Sequence, residues 1–162
     1  MNDLLAHLEA QLDAEEGFRL AIYDDATGRP FKKGDTLQGN LTVGAGVNLS
    51  IPFTGEEVRW LEAGRIAKGI ALLQAYDWFN VQDDVRKTAL GDLAYNLGAD
   101  GLLHWPHFLS YMGKKDYPAA TTEIRSNAKW ISQVGPVRAL RLETMIENGT
   151  WPTDIAVPGV AS

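Results

Sequence analysis

Glu16 and Asp25, nine positions apart, are the first candidates for chemistry in this sequence. Glu16 falls where a helical pattern runs out at Gly17, and Asp25 follows the β-prone Ala21-Ile22-Tyr23, so a strand folding back beside the helix end would bring the two carboxyls together. Glycoside hydrolysis requires such a pair: one carboxyl held protonated to donate to the leaving oxygen, the other ionised to steer water or stabilise positive charge. Acids at helix ends and turns are most often ordinary surface residues, however. Glu15 and Asp24 qualify equally on composition, so spacing alone does not choose among them.

Thr42 lies in Leu41-Thr42-Val43-Gly44-Ala45-Gly46, where Gly44 and Gly46 would let backbone approach a ligand and a hydroxyl could hold a water. A plain strand-to-loop turn explains the same residues. Phosphate binding is weaker still, because neither GxGxxG nor GK[ST] is present. His104 and His107 are three apart without a third ligand nearby, and with no cysteine in the chain neither a thiolate metal site nor a disulfide is possible. No metal or other cofactor is expected. A serine nucleophile elbow of the GxSxG type is also missing.

These residues need elements to hold them. Leu4, Leu5, Leu8 and Leu12 are spaced for an amphipathic helix, with Asn2 as its cap and its end near Glu15–Gly17. From Arg19 to Asn48, Thr27-Gly28-Arg29-Pro30, Lys33-Gly34-Asp35 and Gly39-Asn40 punctuate short β-prone pieces, which predicts a hairpin or three-stranded sheet with a long loop. Thr54-Gly55-Glu56-Glu57 is a capping box opening a helix of roughly five turns through Val58, Leu61, Ile66, Ile70 and Leu73.

Further helices are predicted along Val81, Val85, Ala89, Leu93 and Leu97, then from Phe108 to Met112, then from Asp116 with Pro118 in the first turn. A last one runs from Pro136, with Val137, Leu140 and Met145 or Ile146 inward, to a left-handed cap at Asn148-Gly149. Trp60, Trp130 and Trp151 fall on or beside helices and are expected in the core; the tail from Thr153 is expected to be loose. The layout is an α+β architecture of two lobes with a cleft between them.

The 162 residues carry 15 basic and 21 acidic side chains, a net charge of -6. That argues against a nucleic-acid partner and against electrostatic docking on an anionic surface. The amino terminus is acidic from Asp3 and lacks the basic start and apolar run of a secretory signal, and no stretch approaches a membrane span.

Taken in order, Glu16-Gly17-Phe18-Arg19-Leu20, Ile22-Tyr23-Asp24-Asp25 and Leu41-Thr42-Val43-Gly44-Ala45-Gly46 resemble the Glu-Gly-x-Arg-Leu, x-Tyr-x-Asp and x-Thr-x-Gly-x-Gly segments of the T-even-phage lysozymes, glycoside hydrolase family 24. Ala94-Tyr95-Asn96-Leu97-Gly98 is similar to the family's aromatic-Asn-x-Gly helix end. Trp130 with Gln133, Pro136, Arg138 and Arg141, then Gly149-Thr150-Trp151, extend the likeness over about residues 4–151. Two features depart from the pattern: residues 26–40 form an insertion between Asp25 and Thr42, and Val47-Asn48 follow Gly46 where many members carry His.

The resemblance implies a single lysozyme-like catalytic domain over 1–162, with a β-containing lobe at about 14–53, a linking helix at about 54–75, and a helical lobe at about 76–151 together with helix 2–15. It implies an endolysin, a muramidase cleaving the β-1,4 bond between N-acetylmuramic acid and N-acetylglucosamine of peptidoglycan. Glu16 would be the general acid, with Asp25 and Thr42 holding the attacking water. Gly44, Gly46, Asn48, Tyr95 and Asn96 would bind substrate, with Arg19 and Arg138 in support. Such a protein would be monomeric and wait in the host cytoplasm for release to the wall through a holin. A lytic transglycosylase and a catalytically silent peptidoglycan-binding domain are the alternatives.

Overall fold

Leucines at helical spacing carry the chain through α1 (Asn2–Leu12) and into a wider π-helical turn, Asp13–Gly17, in the computed structural model, which describes residues 2–155. The cap expected at Asn2 lies outside the described side chains. Helical winding reaches Gly17 as predicted, but the last five residues widen from the α to the π form. Three of them, Asp13, Glu15 and Glu16, are acidic. Such turns are rare and concentrate at functional positions. Leu4, Leu5, Leu8 and Leu12 are exposed.

Beyond extended Phe18, β1 (Arg19–Asp24), β2 (Arg29–Pro30), β3 (Leu41–Gly44) and β4 (Val47–Asn48) form an antiparallel sheet in the order β2-β1-β3-β4. It has one strand more than the three the sequence predicts. Pro30 is tolerated because β2 is an edge strand. Tyr23 pairs with Thr42, and Thr42 with Asn48, while the register slips between Tyr23 and Arg19. With side chains alternating along a strand, Tyr23, Thr42 and Asn48 stand in one cross-strand row. This sheet and α1 belong to the first of two compact units, Met1–Val58 and Arg59–Ser162.

The capping box forms as predicted: Thr54 N–H donates to Glu57 Oε2 at 2.7 Å, and Glu57 N–H to Thr54 Oγ1 at 3.3 Å. It opens α2 (Gly55–Leu73). Among the described residues seven helices follow: α3 (Asp77–Asn80), α4 (Asp84–Leu97), α5 (Ala99–Leu103), α6 (Pro106–Lys114), α7 (Tyr117–Ser126), α8 (Ala128–Val134) and α9 (Pro136–Asn148). Their core holds Leu90 and Leu93 of α4, Phe108 and Met112 of α6, Ile124 of α7 and Ile146 of α9. Asp116 caps α7, and Gly149 ends α9 in the left-handed region, both as predicted. Among the described residues no helix is long and apolar enough to cross a membrane.

Four side-chain expectations fail, and the first is Val81, which precedes α4 and is exposed rather than on its buried stripe. Trp60 is 76% exposed, whereas Trp130 is buried and Trp151 packs against the core. At about 100° per residue Trp60 stands some 140° around α2 from Leu73, the buried residue of that helix, so the two cannot share a face. Val137 and Leu140 are 66% and 63% exposed. Met145 and Ile146 are buried as expected, but they share the inward stripe with Ala139 and Leu142, rotated away from Val137 and Leu140. Asp154, in the tail expected to be loose, bonds Arg141 Nε at 3.1 Å; the remainder of that tail, from 156, lies outside the described residues.

Candidate functional site

Glu16, from the π-helical turn, opens onto a cavity of about 450 Å³ that is lined also by Arg19, Tyr23, Asp25, Gly28, Thr42, Gly46 and Asn48. Six of the sequence candidates therefore converge on one space. The sheet register explains much of this, since Tyr23, Thr42 and Asn48 share a row and Asp25 continues the Tyr23 side of β1.

The adjacent acids separate into two roles. Asp24 is 4% exposed, and its carboxylate accepts backbone N–H bonds from Ala26 at 3.0 Å, Gln38 at 2.8 Å and Gly39 at 3.0 Å. It fastens the inserted loop to the end of β1. Asp25 is exposed to the cavity, where Oδ1 accepts Asn40 N–H at 2.6 Å and Oδ2 accepts Asn40 Nδ2 at 3.0 Å. The Asn40 backbone N–H above all, then its side-chain amide, hold the Asp25 carboxyl below its ordinary value of 3.8. Three successive amides, those of residues 38 to 40, thus bind two successive carboxylates.

Gly39 makes that approach possible. A Cβ there would stand 2.0 Å from Asp25 Oδ1 and 2.8 Å from the Ala26 backbone nitrogen, so no side chain fits. Glu15 is engaged by Gln11 Nε2 at 3.0 Å, while Glu16 has no side-chain hydrogen bond among the described residues.

Thr42 is 3% exposed, and its hydroxyl donates to the Asn40 carbonyl at 3.3 Å. With its proton so directed, the oxygen's lone pairs remain as acceptors. Gly46, at φ +89°, lines the cavity; Gly44, at φ +65°, closes β3 but is not in the lining. Asn48 Oδ1 accepts Ser50 N–H at 2.8 Å, which fixes the amide plane and leaves its N–H₂ donors. Arg19 donates to the Gly28 carbonyl at 2.8 Å, and its guanidinium lies 4.6 Å over the Tyr23 ring, a cation held at the wall shared with both carboxyls.

Tyr95, Asn96 and Arg138 belong to the helical unit. Tyr95 lines a separate cavity of about 340 Å³ with Ile66, Leu72 and Gly91. Asn96 Nδ2 donates to the carbonyl and Oδ1 of Asp92 at 2.8 and 2.9 Å, and Arg138 bonds the same Oδ1 at 2.9 Å. Asp92 therefore orients two of the three. Asp92, Gly39 and Asn40 are absent from the sequence candidates, although Gly39-Asn40 does stand out there as a turn signal.

Among the described residues no group of three or more His, Cys, Asp or Glu could hold a metal ion. Set against models of known protein families and against curated proteins, the chain matches none of them. In chemical terms the cavity offers a free carboxyl, a second carboxyl held ionised, a hydroxyl with acceptor capacity and amide donors.

Proposed function

We propose that this chain hydrolyses the glycan strands of bacterial peptidoglycan as a muramidase, cutting the β-1,4 bond after N-acetylmuramic acid. The observation that carries the reading is the convergence of Glu16, Asp25 and Thr42 on one cavity, with Asp25 alone of the two carboxyls fixed by donors that favour its ionised form. The sequence resemblance to the T-even-phage lysozymes assigns the same three residues.

On this reading Glu16 gives its proton to the glycosidic oxygen as the bond from that oxygen to the anomeric carbon breaks. A water held between Asp25 and the Thr42 hydroxyl bonds to the anomeric carbon from the opposite face, and its proton passes to Asp25. Asn48 and Arg19 would contact sugar hydroxyls and acetamido groups from the cavity wall. Release to the wall through a holin-type pore goes with the phage resemblance.

Digestion of purified peptidoglycan, followed by mass spectrometry and NMR of the fresh products, tests the proposal. Expected are muramic acid ends that have gained water and appear first as the α-anomer, the outcome of a single displacement. First appearance as the β-anomer would make Asp25 a nucleophile. Anhydro ends would replace hydrolysis with transglycosylation, and an undigested wall that retains the protein would make the chain a binding domain.

A further inference from the structure

Asn40 touches both groups that the proposed reaction needs for its water. Its backbone N–H and its Nδ2 each take one oxygen of Asp25, and its carbonyl accepts two donors, the Asp25 N–H at 3.1 Å and the Thr42 hydroxyl at 3.3 Å. One residue at the end of the inserted loop thereby fixes the plane of the carboxylate and the direction of the hydroxyl proton. We propose that Asn40 is a positioning residue that locks Asp25 and Thr42 into a single water-holding geometry, a role that rests on the hydrolase reading of this cavity.

The argument is geometric. A carboxylate on one rotatable side chain has freedom about χ1 and χ2, and two bonds from one rigid neighbour, one to each oxygen, remove it. The Thr42 hydroxyl would otherwise be free to donate to water; tied to the Asn40 carbonyl, it presents lone pairs instead. The groups facing Asp25 are few. Glu16 comes from the π-helical turn and Arg19 and Tyr23 from β1, while β3 and β4 bring no charged side chain, so the Asn40 amide is the polar neighbour nearest the carboxylate. Asp24, next in sequence, is turned to the amides of residues 26, 38 and 39.

Asn40→Ala removes Nδ2 and keeps all three backbone contacts, and the near-isosteric Asn40→Asp turns a donor into a like charge. The pKa of Asp25 is read by NMR of its carboxyl carbon in the intact protein, beside kcat and KM on soluble glycan strands. Expected is an upward move of the Asp25 midpoint in both variants, larger in Asn40→Asp. The acidic limb of the kcat profile should move with it, and kcat should fall about ten-fold or more at little-changed KM, the scale of a lost bond to a charged group. Asn40→Gln, which keeps a primary amide one methylene further out, should restore part of both relative to Asn40→Ala.

An Asp25 midpoint unmoved in both variants overturns the proposal. So does a loss confined to KM, or one that simply follows a lowered melting temperature. If wild type cleaves no glycan, the hydrolase reading falls, and with it the role in water-holding, whereas the NMR titration still decides separately whether Asn40 governs Asp25.

Discussion

Asp24 and Asp25 are chemically identical neighbours, and the direction of one strand's alternation sends them to different work. Asp24 meets three backbone amides and is sealed, so it acts as a fastener. Asp25 meets Asn40 on one side and the cavity on the other. A carboxylate held ionised this way is a weak base, better suited to orienting water and stabilising positive charge than to removing a proton early. Thr42→Val tests its partner. The Asn40 carbonyl keeps the Asp25 N–H as a donor, so the variant should lose little stability, about 1 kcal/mol or less. Its kcat should drop about ten-fold or more. Normal turnover with a strongly lowered melting temperature would make Thr42 structural. In the sequence the pair Glu16 and Asp25 could be preferred to Glu15 and Asp24 through resemblance alone. Gln11, four residues away, engages Glu15, but what separates Asp24 from Asp25 is the amides of residues 38 to 40, and no local pattern encodes contacts across fourteen or fifteen positions.

At the scale of elements, the inserted loop is the part least predictable and most consequential. Helix starts and stops were legible because their determinants are local: the Thr54–Glu57 box, the Asp116 cap and the Gly149 stop each depend on three or four residues. The inward face of α9 was not, because Val137-Leu140 and Ala139-Leu142 offer two apolar stripes and only the neighbouring helices choose between them. The loop's shape depends on Gly39 lying against Asp25, which a glycine in sequence does not announce. Gly39→Ala should force the loop off the end of β1, costing roughly 1–3 kcal/mol, and should lower activity with it, since the amides of 38 to 40 would move together. Chemical denaturation and a lysis assay read both. An alanine variant of wild-type stability and activity would show that the loop adjusts freely and is not the clamp described.

At the scale of the whole molecule, the shifted carboxyls among the described residues point one way. Asp25 is lowered by the Asn40 N–H and Glu57 by the Thr54 N–H, and Asp154 by its bond to Arg141; at Asp83 burial pushes upward but the contacts of Arg86 together outweigh it. A group lowered in the folded state adds stability that is fully present above its ordinary value, 3.8 for Asp and 4.5 for Glu, and is lost as pH falls through the folded value. The melting temperature should therefore hold steady from neutral pH down to those values and fall below them. A melting temperature that rises on acidification there would contradict these contacts. On the proposed reading the chemistry turns on Glu16, the cavity carboxyl without a hydrogen-bond partner among the described residues. The most direct test compares purified wild type, Glu16→Gln and the control Glu15→Gln in clearing outer-membrane-permeabilised cells. Wild type and Glu15→Gln should clear the suspension, while Glu16→Gln, equally folded, should be slower by about 10²–10⁴-fold; clearing by Glu16→Gln at the wild-type rate would contradict the account.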